Sequence, residues 1–449
     1  MALSDPDLAA IIQHLRATGI ATAADLAHAT GRSQPSVSRR LRDLADRVAV
    51  LGRGRRARYG LAAPILGLPS LQPIFWTDTS GRIERVGTLQ YLSGDWLHVE
   101  IDQLSIATRA TLPWMLAPLR LQGFLGRARA HSLAALGFDR DPERWSLEQQ
   151  LHVIVRHVSQ PPGAISIGDP LESIRTVVPA NQKRRLTAYE QVAGDVTKTL
   201  PAGSSAAGEQ AKFLAEIDGP DGDGSNGDEP EGRHVLVKFA PPRDTPFGER
   251  WNDLLHAEAL ALPVLAGHDI GAATARVLAT AQRTLLESKR FDRIGTRGAR
   301  HVVALDAIHE AFVPGPRQHW AATCDVLARS NRLPEEDARR VRLLRSFGRL
   351  IGNTDMHFGN LSLFVERHDL GRGRFRLAPV YDMLPMRWRP DPVAGTLDDL
   401  PFEPESIDLQ GEARRWAVEL WDAVATHADI SRRFRALARA MRQRLDQAR

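Results

Sequence analysis

Asp355 and Asn360 stand five positions apart in the segment Ile351-Gly352-Asn353-Thr354-Asp355-Met356-His357-Phe358-Gly359-Asn360, and the chain returns to a third polar residue in Tyr381-Asp382-Met383. Between them lie an apolar run, Leu361–Val365, and a strand candidate, Arg374–Val380. An Asp-x-x-x-x-Asn pair alone arises often by chance. Followed by two strand candidates and an acid at the end of the second, it describes a loop, an excursion and a return. The chain must then fold so that two carboxylates and one amide meet. Such a set has the chemistry of a site for a hard cation, whose ligands are oxygens, with one carboxylate left to accept or orient a proton.

Upstream, Val235-Leu236-Val237-Lys238 reads as a strand ending in a lysine, and Trp251–Leu262 as an amphipathic helix carrying Glu258. A lysine at that place can neutralise phosphate oxygens, and Glu258 can pair with it and hold it straight. Glu249 is the competing acid. Before them lies Gly203-Ser204-Ser205-Ala206-Ala207-Gly208-Glu209-Gln210-Ala211-Lys212, whose small residues let backbone N–H groups approach phosphates. Read alone, this stretch is equally a flexible turn. Protein kinases place a catalytic Asp and a metal-binding Asn at the same separation, follow them with a second metal-binding Asp, and precede them with a strand lysine paired to a helix glutamate. On that pattern Asp355 is the catalytic residue, Asn360 and Asp382 are the metal ligands, and Lys238 and Glu258 are the phosphate-side pair. Leu285-Leu286-Glu287-Ser288-Lys289-Arg290-Phe291 lies where two lobes join, so backbone groups of Glu287, Ser288 and Lys289 are placed against adenine by their order along the chain. His357 is expected to hydrogen-bond within the loop and is not assigned as a base.

The first 60 residues follow a different plan. Leu8, Ile11, Ile12 and Leu15 have helical spacing. Thr22 with Asp25 three residues on is a capping-box start, and Ser33 with Pro35 opens a third helix. That helix buries Val37, Leu41 and Leu44 and shows Gln34, Ser36, Ser38, Arg39, Arg40 and Arg42. Val48–Leu51 and a basic stretch with Arg53, Arg55, Arg56 and Arg58 then read as a hairpin. Helix, turn, helix and basic hairpin resemble a winged helix-turn-helix, with the third helix in a major groove and the hairpin against phosphates. The bland reading is a small helical domain for protein contact. Arginine at both expected contact points favours DNA. The net charge of +5 and the pI of about 9.7 agree with a polyanion partner without requiring one.

Composition sets the limits around these motifs. The 449 residues allow two to four domains, and 43% hydrophobic with 25% charged residues is globular. Cys324 is the single cysteine, which excludes an intrachain disulfide and a thiolate cluster and suits a reducing cytoplasm; its plain reading is a buried helix residue. No apolar run is long enough for a bilayer, and the first 26 residues show no secretory pattern. The acidic, Gly-dense run Asp218–Gly232 reads as a solvated loop between the strand candidates Lys212–Ile217 and His234–Phe239.

Taken in order, GSSAAGEQAKF, HVLVKFAPP, ESKRFDR, IGNTDMHFGN and APVYDMLP resemble the HipA family of serine/threonine kinases, the toxin component of bacterial type II toxin–antitoxin systems, and within it the YjjJ branch, whose members carry their own helix-turn-helix. The resemblance runs from about residue 70 to the end. It implies binding of ATP and Mg2+, phosphorylation of a protein serine or threonine (in family members an aminoacyl-tRNA synthetase), and Ser205 as the loop serine that autophosphorylation uses to switch the kinase off. It also implies DNA, a protein substrate, and a homodimer or separate antitoxin as partners. Two departures stand out: Gly359 occupies a place where many relatives carry Lys, and ESKRFDR is longer than the plain ERFDR form. The expected fold is multidomain α+β: 1–63 a winged helix-turn-helix, 64–200 a HipA-like α/β subdomain, 201–284 a kinase N-lobe, and 285–449 a mostly helical C-lobe. Two other readings start from the same residues. One is an inactive kinase-like transcriptional regulator, opposed by the intact Asp/Asn/Asp/Lys set. The other is a sugar kinase, opposed by the absence of its Asp-Gly-x-Gly-Thr phosphate loop.

Overall fold

The computed structural model describes residues 6–52, 54–158, 161–168, 176–199, 210–219, 233–391, 393–406, 408 and 411–447. It opens with α1 (Pro6–Thr18), β1 (Ile20–Thr22), α2 (Ala23–Thr30), α3 (Gln34–Asp43), β2 (Val48–Leu51) and β3 (Arg58–Leu61). The three strands pair antiparallel in the order β1-β3-β2. Ile11, Ile12, Leu15, Leu26, Val37, Leu41 and Leu44 close over that sheet. Thr22 and Asp25 make the expected capping box. Ser33 has the extended backbone of an N-cap, yet its side chain makes no capping bond. Pro35 stands in the first turn of α3, where its missing N–H costs nothing and its fixed φ suits the helix.

The next sheet has β4 (Leu71–Thr77), β5 (Ile83–Leu92), β6 (Trp96–Ile101), β7 (Leu104–Arg109) and, after α4 (Gly123–Leu133) and α5 (Leu147–His157), β8 (Ile165–Ile167). Its order is β7-β6-β5-β4-β8, with every pair antiparallel. Pairing crosses from the first module without a gap: Ser93 N–H donates to Leu61 O at 2.8 Å and Ala63 N–H to Tyr91 O at 3.1 Å. Gly19, at φ +80°, lets the Trp96 indole lie against the backbone, where a Cβ would collide with it. Leu92, Trp96 and Ala107 pack with Ile20, Ala49 and Leu51.

A second five-stranded sheet carries β9 (Val177–Pro179), β10 (Lys212–Asp218), β11 (Arg233–Phe239), β12 (Ala275–Ala279) and β13 (Thr284–Lys289), in the order β12-β13-β11-β10-β9. The expected strand pair 212–217 and 234–239 is there, antiparallel. Val178, together with Tyr189 and Ala193 of α6 (Gln182–Thr199), shares a buried cluster with Phe213, Ile217, Val237 and Leu285. Residues 177–199 therefore pack into this sheet's core, although the sequence reading grouped them with the segment before it. Helix α7 (Pro246–Gly267) lies over the same sheet through Trp251, Leu254 and Leu255.

The rest is mostly helical: α8 (Leu305–Phe312), α9 (Trp320–Arg329), α10 (Glu335–Leu350), α11 (Glu412–Thr426) and α12 (Arg432–Gln447). A short strand pair, β14 (Arg293–Ile294) and β15 (Gly298–Ala299), precedes a small sheet of β16 (Val302–Ala304), β17 (Ser362–Phe364) and β18 (Arg376–Leu377). Phe347, Trp388, Trp416, Trp421 and Phe434 are fully buried at its centre, and Cys324 is buried in α9. No helix among the described residues is long and apolar enough to cross a membrane.

His301 ties the first five-stranded sheet to the helical part. Its Nδ1 accepts from Ala164 N–H at 3.2 Å, so Nε2–H donates to Met115 O at 2.9 Å. That bonding uses the neutral ring, and burial pushes its pKa down to about 4. A depressed histidine binds its proton more readily in the unfolded chain. Stability from this site is therefore full above about pH 6.5 and is lost as pH falls toward 4. Denaturant midpoints at pH 7 and pH 4.5 are expected to converge in His301→Gln relative to wild type, the difference being on the order of 3 kcal/mol. Parallel pH slopes in the two proteins would remove His301 as the source.

Candidate active site

Lys238 is the penultimate residue of β11 and is only 5% exposed. Its Nζ donates to both carboxylate oxygens of Glu258 at 2.6 Å and to Oδ1 of Asp382. Glu258 is delivered by α7, which begins at Pro246, capped by Thr245, five residues before the expected start. Glu249 stands exposed in its first turn, so the competing acid is not at the site. Burial alone would lower the Lys238 pKa, but the carboxylates of Asp382 and Glu258 override it and hold the ammonium above its ordinary value. Burial is the largest influence on Asp382 and raises it, but Lys238, Lys212 and His357 together outweigh it and hold the carboxyl below its ordinary value; burial pushes Glu258 up.

Helix α10 stops at Leu350, and Gly352 turns the chain at φ +71°. A Cβ there would stand 2.7 Å from the Trp388 ring, which leaves room only for glycine. Asn353, buried beside it, joins the two acidic segments. Its Nδ2 donates to Asp382 O at 3.1 Å and its Oδ1 accepts from Asp355 N–H at 3.0 Å. Asn360 Nδ2 donates to Asp355 O at 2.9 Å and more weakly to Oδ2 at 3.4 Å. Its Oδ1 consequently faces the other way. The Asp355 side chain stays 44% exposed. Tyr381 O–H donates to Gly359 O at 3.0 Å, pinning the loop to the strand end that presents Asp382. Asp382 sits at φ +55°, a region an aspartate occupies at a cost, and such strain gathers where a side chain must be aimed. His357 Nδ1 accepts from Gly359 N–H at 3.1 Å and its carbonyl accepts from Trp320 Nε1, so it is held within the loop as expected.

These residues fit a magnesium-type ion. The donors are oxygens, from the Asp382 carboxylate and Asn360 Oδ1. The Lys238 ammonium contacts two carboxylates, and the charge of Lys212 acts on both from farther off. Magnesium ligation by a hard-oxygen pair and phosphate binding by Lys238 are compatible with this geometry.

Glu287 requires a correction. Its carboxylate is 4% exposed and is taken by Tyr189 O–H at 2.7 Å, Arg276 Nε at 2.8 Å and Arg185 Nε at 3.2 Å. The backbones of Glu287 and Ser288 lie in β13, paired to β11 on one side and β12 on the other. A central strand has no main-chain groups to spare for a base. Lys289 N–H is likewise spent on Thr274 O, and Arg290 N–H on His234 O. Gln210 Nε2 donates to Phe239 O at 2.8 Å, next to Lys238. Ser205, Ala207, Gly208 and Glu209 lie outside the described residues.

On the first module, Gln34, Ser38 and Arg39 are exposed on α3 and Ser36 is half-buried. Arg40 is half-buried, 3.9 Å from Asp7, which also binds Arg32 at 3.0 Å. Arg56 and Arg58 are exposed around the hairpin. Arg53 and the Arg55 side chain lie outside the described residues. Sequence reasoning did not single out Asn353 or Tyr381. Both stood inside the quoted motifs, but their partners are other backbone segments that spacing does not reveal.

Two family profiles match the chain: a HipA-like C-terminal domain over residues 204–449, and a YjjJ-like toxin middle domain over 68–175. The chain is 34% identical to Toxin YjjJ of Escherichia coli strain K12 over 90% of both chains. Its fold is similar to that of HipA in a Shewanella oneidensis complex with HipB and operator DNA, with a TM-score of 0.51 at 14% identity, covering 84% of this chain and 97% of that one. With the five motifs, both profiles and a relative matched almost end to end, the chain belongs to the HipA family, in its YjjJ-like branch.

Proposed function

We propose that the protein is an ATP-dependent serine/threonine protein kinase with a DNA-binding winged helix of its own. The observation that carries the kinase reading is the joint arrangement of Lys238, Glu258 and Asp382, with Asn353 holding Asp355 and Asp382 in register. Lys238, kept straight by Glu258, neutralises phosphate oxygens. Asn360 and Asp382 hold magnesium, which supplies positive charge to the nucleotide's phosphates. Asp355, open to solvent on one side, orients the acceptor hydroxyl for in-line attack. Ser205 is an acceptor in the same chain. The test is intact mass after incubation with Mg·ATP, with Asp355→Ala alongside. A gain of one phosphate in the wild type alone, mapped to Ser205, supports the reading. Unmodified starting material with no gain and no measurable ATP binding would leave the DNA-binding regulator in its place.

The HipA of the Shewanella structure is found with HipB and operator DNA. In this chain α3 and the β2–β3 hairpin take the operator contact directly. Arg39 and Arg56 are exposed at the two contact points, whereas Arg40 shares Asp7. Arg39→Ala with Arg56→Ala is expected to weaken retention of DNA from upstream of its own gene about 10- to 100-fold and to flatten the salt dependence by roughly two phosphate contacts. Unchanged retention would remove α3 and the hairpin from the interface.

A further inference from the structure

Helix α7 presents a second group of ligand atoms away from Lys238. Glu258 points at the lysine; His256, two positions earlier, meets the turn between α11 and α12. The rings of His256 and His427 lie 4.8 Å apart at 50°. One ligand atom each from His256, His427 and Asp429 lie within 4.8 Å of one another. They line a cavity of about 260 Å³ that Arg243 also borders. His256 is 6% exposed.

The turn is fixed independently of any ligand. Asn252 Nδ2 donates to Asp429 O at 3.0 Å, and Ser431 N–H and Oγ both donate to Asp253 at 2.7 Å. The Asp429 side chain is exposed at the rim. Its N–H meets His427 Nδ1 at 3.2 Å; ligation through His427 Nε2 would move the ring proton to Nδ1 and exchange that weak bond. Arg243 is tethered to the carbonyls of Thr280 and Arg283, and its charge favours an anionic or polarised water in any open position.

We propose that His256, His427 and Asp429 hold one divalent transition-metal ion of zinc type, with a fourth position open to solvent. Two imidazoles and a carboxylate suit zinc and its neighbours, while magnesium prefers oxygens alone. Bonds of roughly 2.0–2.2 Å bring tetrahedral ligand atoms to about 3.3 Å, so side-chain rotations of about 1.5 Å close the site. The ion bridges α7, which carries Glu258, to the α11–α12 turn. It thereby fixes the helix on which the Lys238 pairing depends. The assignment does not depend on phosphotransfer.

The experiment uses full-length protein without a histidine tag, stripped with chelator and titrated with Co2+. One equivalent is expected to give the visible absorption of tetrahedral cobalt and to be displaced by Zn2+ in the presence of millimolar Mg2+. His427→Gln and Asp429→Asn, the less buried ligands, are expected to weaken zinc binding by at least the roughly 10- to 100-fold that removing an outer-shell partner costs, with unchanged circular dichroism. Asp382→Asn should keep the signal, which separates this site from the oxygen site. Wild-type affinity in both ligand variants, or failure of the wild type to take up micromolar Zn2+, would overturn the assignment.

Discussion

Asp355→Ala is expected to slow phosphoryl transfer by about 10³-fold, on the order of 4 kcal/mol in the barrier, while ATP affinity changes only a few-fold. Within the loop the side chain is met only loosely, by Asn360 Nδ2 at 3.4 Å and His357 Nε2 at 4.0 Å. The loop itself is held through the Asp355 backbone, by Asn353 at the N–H and Asn360 at the carbonyl, and alanine keeps both bonds. A loss confined to rate, seen in single-turnover transfer beside nucleotide titration, is what a hydroxyl-orienting group should give. Equal rates in variant and wild type would take Asp355 out of the chemistry. Parallel loss of ATP affinity would mean that its carboxylate serves nucleotide binding instead.

Lys238→Met should destabilise the folded chain by about 3–5 kcal/mol, because it strands two acids beside each other, one of them 3% exposed. Methionine matches the volume, so the loss is electrostatic. Three further outcomes separate this from poor packing. Lowering the pH should recover stability, since protonating Glu258 removes one of the two charges. Adding Glu258→Gln should recover part of it in a double-mutant cycle. Millimolar Mg2+ should stabilise the variant more than the wild type, because the ion meets a larger excess of negative charge. Denaturant unfolding reads all three, and a variant as stable as wild type would show that the acids are not facing each other in solution.

What the sequence revealed and what it hid follow from the range of the interactions. The Asp355–Asn360 pair is legible because it is made within one loop, and Lys238 with Glu258 because a strand end and a helix face are both periodic. Glu287 was placed by its order along the chain alone, and that order does not reveal that Tyr189, Arg185 and Arg276, from other elements, take its carboxylate. Val177–Pro179 joins the second sheet through parallel pairing with a strand some way downstream, and three residues carry too little pattern to announce it. Asn353 bonds to a carbonyl 29 positions on, and Asp7 holds Arg32 of the turn before α3 and Arg40 within that helix. Contacts of that kind leave no mark in local spacing.

The joint at Gly19 and Trp96 has a further consequence. A domain on a slack tether samples many orientations, and the tether's length sets how far apart two such domains reach. Here hydrogen bonds at Ser93–Leu61 and Ala63–Tyr91 carry sheet-like pairing across the boundary, with Leu92 and Trp96 sealed beneath. Cutting the chain there would bare an apolar face, so the first module is not a removable attachment. Its heading is a fixed property of the whole body. Two bodies related by symmetry would present their third helices at a single separation, and under the proposed DNA-binding reading the repeat spacing would be a dimension of the protein's shape.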